Sequence, residues 1–361
     1  MTNLRVATVF SGIGAFEQAL KKQKIPNEIV FACDTGERYV DFDEKSLPSN
    51  FVQLPNYKRE SIVSKIYNKT KKANYVKESY FANYQINDKQ WFTDIRFIDG
   101  KEFNGKVDIF VGGSPCQSFS AIGKRKGLND TRGTLFYDYA RLVKEIYPKV
   151  FIFENVPGML NHDGGKTWSI IRKTFEELGY KLFFRVLNSM DYGMPQDRKR
   201  LFVLGFKDKN ASFSFPKGTK LKTTMFDYLE PIVDSKHYLG KKGFEFVTNP
   251  KYRNRAKVNS NIIRTQKANQ QFNWNGNFVF EELDEKKHTK EILKRAYVGK
   301  WNGKTGVCRQ LSHRECLRLM GFSDDFKIVV PNIQAYRQAG NSIVVNVLEA
   351  IICQIYEANI L

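Results

Sequence analysis

The sequence predicts an α/β fold built on a doubly wound, mostly parallel sheet, with a second, smaller and basic domain attached. Short apolar strands alternate with helical stretches over the first two hundred residues, and glycines or charged residues follow several of the strand ends. Charge separates the second domain. Residues 207–310 carry 22 Lys or Arg against 10 Asp or Glu, so 12 of the chain's net +20 lies there, where the strand-helix rhythm stops.

Each element follows from local pattern. Residues 5–10 form a short β-rich run, Gly12 and Gly14 open a turn, residues 16–20 have helical spacing, and residues 28–33 restart an apolar strand. That is the start of a βαβ unit. Buried strands are predicted at residues 107–111, 150–153, 182–187 and 201–206, with helices at 135–146 and 167–178. Residues 55–91 hold eight Lys or Arg against three acids among many Tyr and Asn, and read as a basic surface insertion between two sheet elements. Helical patterns return at 312–320 and 343–356, the last apolar enough to dock on a sheet. The expected organisation is therefore residues 1–207 plus 332–361 as one domain, with the insertion 55–91 inside it, and 208–331 as the other.

Composition excludes several classes. At 361 residues, with 42% hydrophobic and 14% aromatic side chains, the chain as a whole is neither disordered nor a coiled coil. The net charge favours a polyanionic partner over an acidic protein surface, although a basic enzyme of other type has the same balance. No apolar run approaches the ~20 residues of a membrane span, and residues 1–10 lead into a strand rather than a leader, so a cytoplasmic protein without membrane contact is expected. The five cysteines contain no CxxC pair. No metal site is expected, and any cysteine chemistry is that of one thiolate.

The chemistry-bearing residues sit after strands. Phe10, Gly12, Ile13 and Gly14 lie between the first strand and its helix, where glycines admit a ligand to the backbone and the helix N-terminus. Asp34 ends the second strand and can accept hydrogen bonds from ribose hydroxyls; Asp94, before Ile95, is a third candidate contact, with capping as its ordinary role. Together they indicate a nucleoside-type cofactor. Gly112-Gly113-Ser114-Pro115-Cys116-Gln117 follows a central strand, at the edge where open α/β sheets hold their ligands. Glu154-Asn155 ends the next strand. A thiolate and a carboxylic acid at one edge suit nucleophilic addition with acid assistance.

With these residues in place, the chain resembles the DNA (cytosine-5)-methyltransferases of bacterial restriction-modification systems, and the motifs run in family order over most of its length. Phe10 to Gly14 resembles the cofactor loop, Ser114-Pro115-Cys116-Gln117 the nucleophile motif and Glu154-Asn155-Val156 the base-binding motif. Gln196-Asp197-Arg198-Lys199-Arg200 resembles the arginine motif, residues 309–326 the hinge-proximal helix, and Gln338-Ala339-Gly340-Asn341-Ser342 the closing cofactor motif. The resemblance implies a Rossmann-like S-adenosylmethionine-dependent methyltransferase domain and a smaller target-recognition domain.

It also implies roles. Cys116 would add to carbon 6 of cytosine, Glu154 would hold the ring at nitrogen 3 and the exocyclic amine, and Arg200 with Arg198 would bind the carbonyl oxygen and backbone phosphate. S-adenosyl-L-methionine would contact Phe10, Gly12, Ile13, Gly14, Asp34, Asp94, Ile95, Pro115, Leu135, Asn341 and Ser342. The partner would be double-stranded DNA from which the target cytosine is flipped. Ser120, Ile122, Lys124 and Arg125 would belong to a loop closing on that DNA, and Arg255, Arg264 and Gln266 are side chains of types that read bases. The family usually has Glu where this chain has Asp34, which shortens the reach to ribose. A monomeric modification enzyme, encoded by a bacterium or phage and matched to a restriction endonuclease acting on the same site, is expected. The competing readings are a tRNA cytosine-5 methyltransferase on the same scaffold, disfavoured by the length of the stretch 207–309, and a non-catalytic DNA-binding relative, disfavoured by intact Cys116 and Glu154 motifs. A dinucleotide oxidoreductase would need a fuller glycine fingerprint.

Overall fold

The computed structural model describes residues 3–40, 47–114, 135–269 and 274–358. By internal contacts the chain divides into two compact units: residues 1–187, 199–217 and 347–361, and residues 188–198 with 218–346.

The first unit opens with β1 (Leu4–Val9), α1 (Ala15–Lys22) and β2 (Asn27–Cys33), followed by α2 (Asn56–Asn68), α3 (Tyr75–Asn83) and β3 (Trp91–Phe92). It continues through β4 (Ile109–Gly112), α4 (Leu135–Ile146), β5 (Val150–Asn155), α5 (Lys166–Glu177) and β6 (Lys181–Asn188); beyond β7 (Gln196–Asp197) of the second unit comes β8 (Lys199–Phe206). The sheet order is β3-β2-β1-β4-β5-β8-β6. Pairing is parallel from β3 through β5, and β8 runs antiparallel to β5. The chain builds outward from β1 on one side, then crosses to β4 on the other. This places the reversal of strand order between β1 and β4, where such sheets open a crevice at their carboxyl ends.

Burial on both faces explains the apolar strands. Ala7, Val9, Phe110, Phe151, Phe153, Leu201 and Val203 point into one cluster with α4 and α5, where Phe110 stacks on Tyr139 at 5.0 Å and Phe151 lies 4.5 Å from Phe175. Val6, Ile109, Ile152 and Leu204 alternate to the other face and are equally buried. All but the first two residues of α10 (Val345–Glu357) belong to the first unit, where its Glu349 accepts from Lys22 at the end of α1 and from Gln23 just after it.

In the second unit, α6 (Lys241–Thr248), β9 (Ala256–Val258), β10 (Ile263–Arg264) and β11 (Gly276–Glu282) are followed by α7 (Lys290–Arg295), β12 (Val298–Trp301), β13 (Lys304–Gln310), α8 (His313–Arg318) and α9 (Asn332–Asn341). A four-stranded sheet, β12-β13-β11-β9, packs Phe278, Phe280 and Cys308 against Leu239, Phe244 and Val247. Asn302 and Gly303, with φ of 49° and 79°, make the two-residue turn of the β12–β13 hairpin, as the twist of paired strands favours.

One buried ionic network ties this unit together. The fully buried Arg309 guanidinium donates to Glu281 at 2.7 Å and to both oxygens of Glu315 at 2.8 and 2.9 Å, while Lys287, His288 and Tyr238 also engage Glu281. Glu315 in turn forms a capping box with Ser312 that starts α8. Because removing one member leaves a buried charge uncompensated, Arg309→Met should destabilise the protein by about 3–5 kcal/mol. Denaturant unfolding followed by a probe in the second unit checks this; a loss below about 1 kcal/mol, the usual worth of a surface pair, would contradict the network's role.

Candidate active site

Strand register brings the candidate residues to one edge. Phe92, Cys33, Val9, Gly112 and Phe153 pair in sequence across β3, β2, β1, β4 and β5. The segments beginning at Phe10, Asp34 and Gly113 therefore leave the sheet side by side, next to Glu154 and Asn155, the last residues of β5.

The first of them is a strained turn. Phe10, Gly12 and Gly14 all have positive φ (52°, 53° and 77°), and Gly14 begins α1 without a side-chain cap. The amide of Gly12 donates to Asp34 at 2.9 Å, and the amide of Gly36 donates to the other Asp34 oxygen at 2.8 Å. Burial raises the Asp34 carboxyl's affinity for its proton, and these two amides oppose the shift. Asp34 thus braces the glycine turn while keeping acceptor capacity on each oxygen. Glu17, in the first turn of α1, is buried and takes hydrogen bonds from Thr8 at 3.0 Å and Tyr80 at 2.5 Å.

Asp94 is differently occupied. It is buried, and its oxygens receive Arg96 and, at 2.7 Å, the Tyr67 hydroxyl, while it also caps the short turn at Ile95–Phe97. Ile95 is a core residue, and Leu135 packs against the same core.

At the centre of the edge, Glu154 pairs with Arg200 of β8, Oε1 to Nε at 3.0 Å, with both side chains about four-fifths buried at 15% and 19% exposure. Gly113 passes so close that a Cβ there would meet the Glu154 backbone oxygen and carboxylate at 2.8 Å, so only glycine fits. The Asn155 amide donates to the Ser114 carbonyl at 2.9 Å, tying the start of the Ser114–Gln117 segment to the residue after Glu154. The buried Ser114 hydroxyl has no partner among the described residues. Pro115, Cys116, Ser120, Ile122, Lys124 and Arg125 lie outside the described residues. Of the other cysteines, burial pushes the Cys33 thiol far up and Cys308 up to about 12, which leaves neither available as a thiolate. Among the described residues, no group of three or more His, Cys, Asp or Glu is arranged to hold a metal, and no single helix is long and apolar enough to cross a membrane.

The positive-φ turn, the uncapped start of α1, Asp34 and the unpartnered Ser114 hydroxyl fit a nucleoside-bearing cofactor: a helix start without a side-chain cap and a carboxylate acceptor suit its polar groups, and a buried hydroxyl calls for a partner.

Arg198, Gln266, Asn341 and Ser342 all lie in the second unit. Arg198 is buried, and its guanidinium donates to the carbonyls of Gln266, Gly340 and Ser342 at 2.9, 3.1 and 2.7 Å, so it fastens the second unit's own backbone. Gln266 is likewise buried: its amide donates to Cys316 O and its backbone N–H to Gln196, which leaves no edge for a base. Asn341 and Ser342 close α9 within the second unit. Arg255 is exposed and stacks on Phe246 at 5.4 Å; Arg264 is half-buried and donates to the carbonyls of Asn254 and Arg253. The sequence reading missed the insertion: Asn74, Tyr80 and Tyr84 reach the Asp34 loop, α1 and the glycine turn, while Glu60 and Tyr67 hold Thr93 and Asp94 after β3. The spacing of Asn56, Arg59, Val63 and Tyr67 was the available signal, since it is one helical face.

The comparisons with known proteins agree with this architecture. The model of the C-5 cytosine-specific DNA methylase family matches residues 4–357. The chain belongs to that family: it is an enzyme, a DNA (cytosine-5-)-methyltransferase with a Rossmann-like, mostly parallel sheet. Among its relatives, the type II methyltransferase M.SsoII of Shigella sonnei is 37% identical over 290 residues, 77% of this chain and 70% of that one. The type II methyltransferase M.HhaI of Haemophilus parahaemolyticus is 37% identical over 252 residues, 68% and 74% of the two chains. In fold, the S. pombe Dnmt2 methyltransferase superposes with a TM-score of 0.67 at 20% identity, covering 99% of this chain and all of that one.

Glu60 supplies a pH test of the edge. Its carboxylate accepts from the Thr93 amide and hydroxyl at 2.9 and 2.6 Å, and burial pushes its pKa from 4.5 up to about 7. Its contribution is complete below pH 4.5 and is lost as pH rises toward 7, because the folded state resists the charge. Glu60→Gln removes that loss. The melting temperature of the variant should therefore gain on wild type between pH 4.5 and 7.5; a difference that stays flat across this range would refute the buried carboxyl.

Proposed function

We propose that this chain is the modification enzyme of a restriction-modification system and methylates carbon 5 of a flipped cytosine in double-stranded DNA through a covalent Cys116 adduct. The observation that carries this reading is the pairing of Glu154 with Arg200 beside the Asn155–Ser114 tie, which sets a carboxylate and a guanidinium next to the strand end that leads to Cys116.

S-adenosyl-L-methionine, when bound, supplies an electrophilic methyl group. The glycine turn from Phe10 to Gly14, Asp34 and Ser114 would hold it. Cytosine carbon 5 is a weak nucleophile on its own. Addition of the Cys116 thiolate to carbon 6 moves the 5,6 electron pair toward carbon 5, which becomes enamine-like. Glu154 holds nitrogen 3 and the exocyclic amine, donating a proton or a hydrogen bond as negative charge grows on the ring; Arg200 binds the neighbouring carbonyl oxygen. Once carbon 5 is methylated, its proton leaves to a base, the double bond re-forms and the thiolate departs.

These atoms are inaccessible in stacked duplex, and extruding the base costs a few kcal/mol. The segment carrying Ser120, Ile122, Lys124 and Arg125 is assigned to closing over the DNA, with the cations on phosphates. Sequence reading is assigned to the second unit, with Arg255 and Arg264 as candidates and Gln266 as a packing residue. The enzyme would act as a monomer in the cytoplasm of a bacterium or phage-infected cell, alongside an endonuclease of the same specificity.

The experiment is mechanism-based trapping. DNA with 5-fluorocytosine at the target should form a covalent complex with the enzyme in the presence of donor, because fluorine cannot leave as a proton. Cys116→Ser should lose the complex and still bind DNA. A normal yield of complex from that variant would overturn the assignment.

A further inference from the structure

The insertion 55–91 contains a helix whose two cap residues each hold one of the two loops of the proposed nucleoside site. At the start of α3, Asn74 is the N-cap: its oxygen accepts from the Lys77 amide at 3.0 Å, and its Nδ2 donates to the Asp34 carbonyl at 3.2 Å. The same oxygen occupies the space beside Gly36, where a Cβ would lie 2.1 Å from it, so the loop after Asp34 is moulded on Asn74. At the far end, Tyr84 is the C-cap. Its hydroxyl lies 2.6 Å from the carbonyl of Gly14 and 3.1 Å from that of Ile13, and its ring fills the place of a Gly14 side chain, 2.2 Å from an ideal Cβ. Gly14 has φ of 77° and adopts a conformation that glycine takes without strain.

The helix between these caps is supported along its length. Tyr80 is buried, lies 4.9 Å from the Tyr84 ring and 5.3 Å from Trp91, and donates to Glu17 in the first turn of α1. A helix is axially stiff, with a fixed rise of about 1.5 Å per residue. A nine-residue helix pinned at both caps therefore fixes the distance between what it pins.

We propose that α3 is a strut that sets the separation of the glycine turn and the Asp34 loop, and that Tyr84 and Asn74 are positioning residues for the methyl donor. Neither touches the reacting atoms; each acts through the backbone of a loop that would. The inference rests on S-adenosyl-L-methionine as donor and extends it by giving the insertion a task in cofactor affinity.

Tyr84→Phe keeps the ring over Gly14 and removes the hydroxyl. Asn74→Ser keeps an N-cap acceptor for Lys77 and removes the donor to Asp34. Each variant should raise the KM and Kd for S-adenosyl-L-methionine by about 3–10-fold, the range expected for losing one net hydrogen bond. At saturating donor kcat should stay within about twofold, and melting temperature and DNA affinity should match wild type. Tyr57→Phe, on the exposed side of α2, should change nothing. Wild-type donor affinity in both variants would overturn the strut, as would a loss of affinity that merely follows a fall in melting temperature. Failure of the wild-type enzyme to bind the donor is a different result, and would overturn the donor assignment itself.

Discussion

Parallel pairing aligns five strands in one row, Phe92, Cys33, Val9, Gly112 and Phe153, where four of them end and β5 runs two residues further, and the chemistry of the first unit hangs from that row. A shift of one residue in any pair would send the side chains packed on α4 and α5 to the opposite, equally filled face, and those of that face into the α4–α5 cluster. Register is therefore fixed by the core, and the core fixes how far each loop reaches. Gly112 and Gly113 show how tight the result is: a Cβ on the first would meet Val9 and Tyr139, and on the second Glu154. The antiparallel β8 completes the edge by delivering Arg200 against Glu154 from the opposite chain direction.

Charge is sorted by depth. The chain carries a net +20, yet around the edge its acids are turned inward: Glu17, Glu60, Asp94 and Asp138 are buried or nearly so, and burial holds the proton more firmly on Glu17, Glu60 and Asp138. The outer face of α2, by contrast, presents Lys58, Lys65 and Lys69. Such an arrangement leaves positive charge outside for a polyanion while the interior acids are satisfied by Tyr67, Tyr80, Thr93 and Arg96. In the second unit the opposite solution operates, with a buried cation, Arg309, neutralised by two glutamates.

Much of this was legible from sequence where apolar period decided the outcome. The strands β1, β2, β4, β5 and β8 and the helices α4 and α5 lie where alternation and helical spacing put them, because they are buried through aliphatic and aromatic side chains; β6, read as a buried strand over 182–187, is instead largely open, with Phe184 and Val186 exposed, because it closes the sheet at its edge. The α2 helix was not legible, since its inward face is Asn56, Arg59, Val63 and Tyr67, three of which are buried by hydrogen bonding rather than by hydrophobicity. The same reason hid the insertion's contacts with the glycine turn. The buried contacts of Arg198 and Gln266 were equally unreadable, because backbone carbonyls take up their side chains and no apolar period announces that. The pair Asn302-Gly303 was a readable hairpin signal.

The claim on which the account stands is that this sheet edge methylates cytosine. Bisulfite sequencing of DNA from cells expressing the enzyme or its Glu154→Ala variant tests it most directly. Wild type should protect cytosine at one position of one short duplex sequence, and the variant should protect none. Equal protection by both would place the chemistry away from the Glu154–Arg200 pair, and no protection by wild type would contradict the account as a whole.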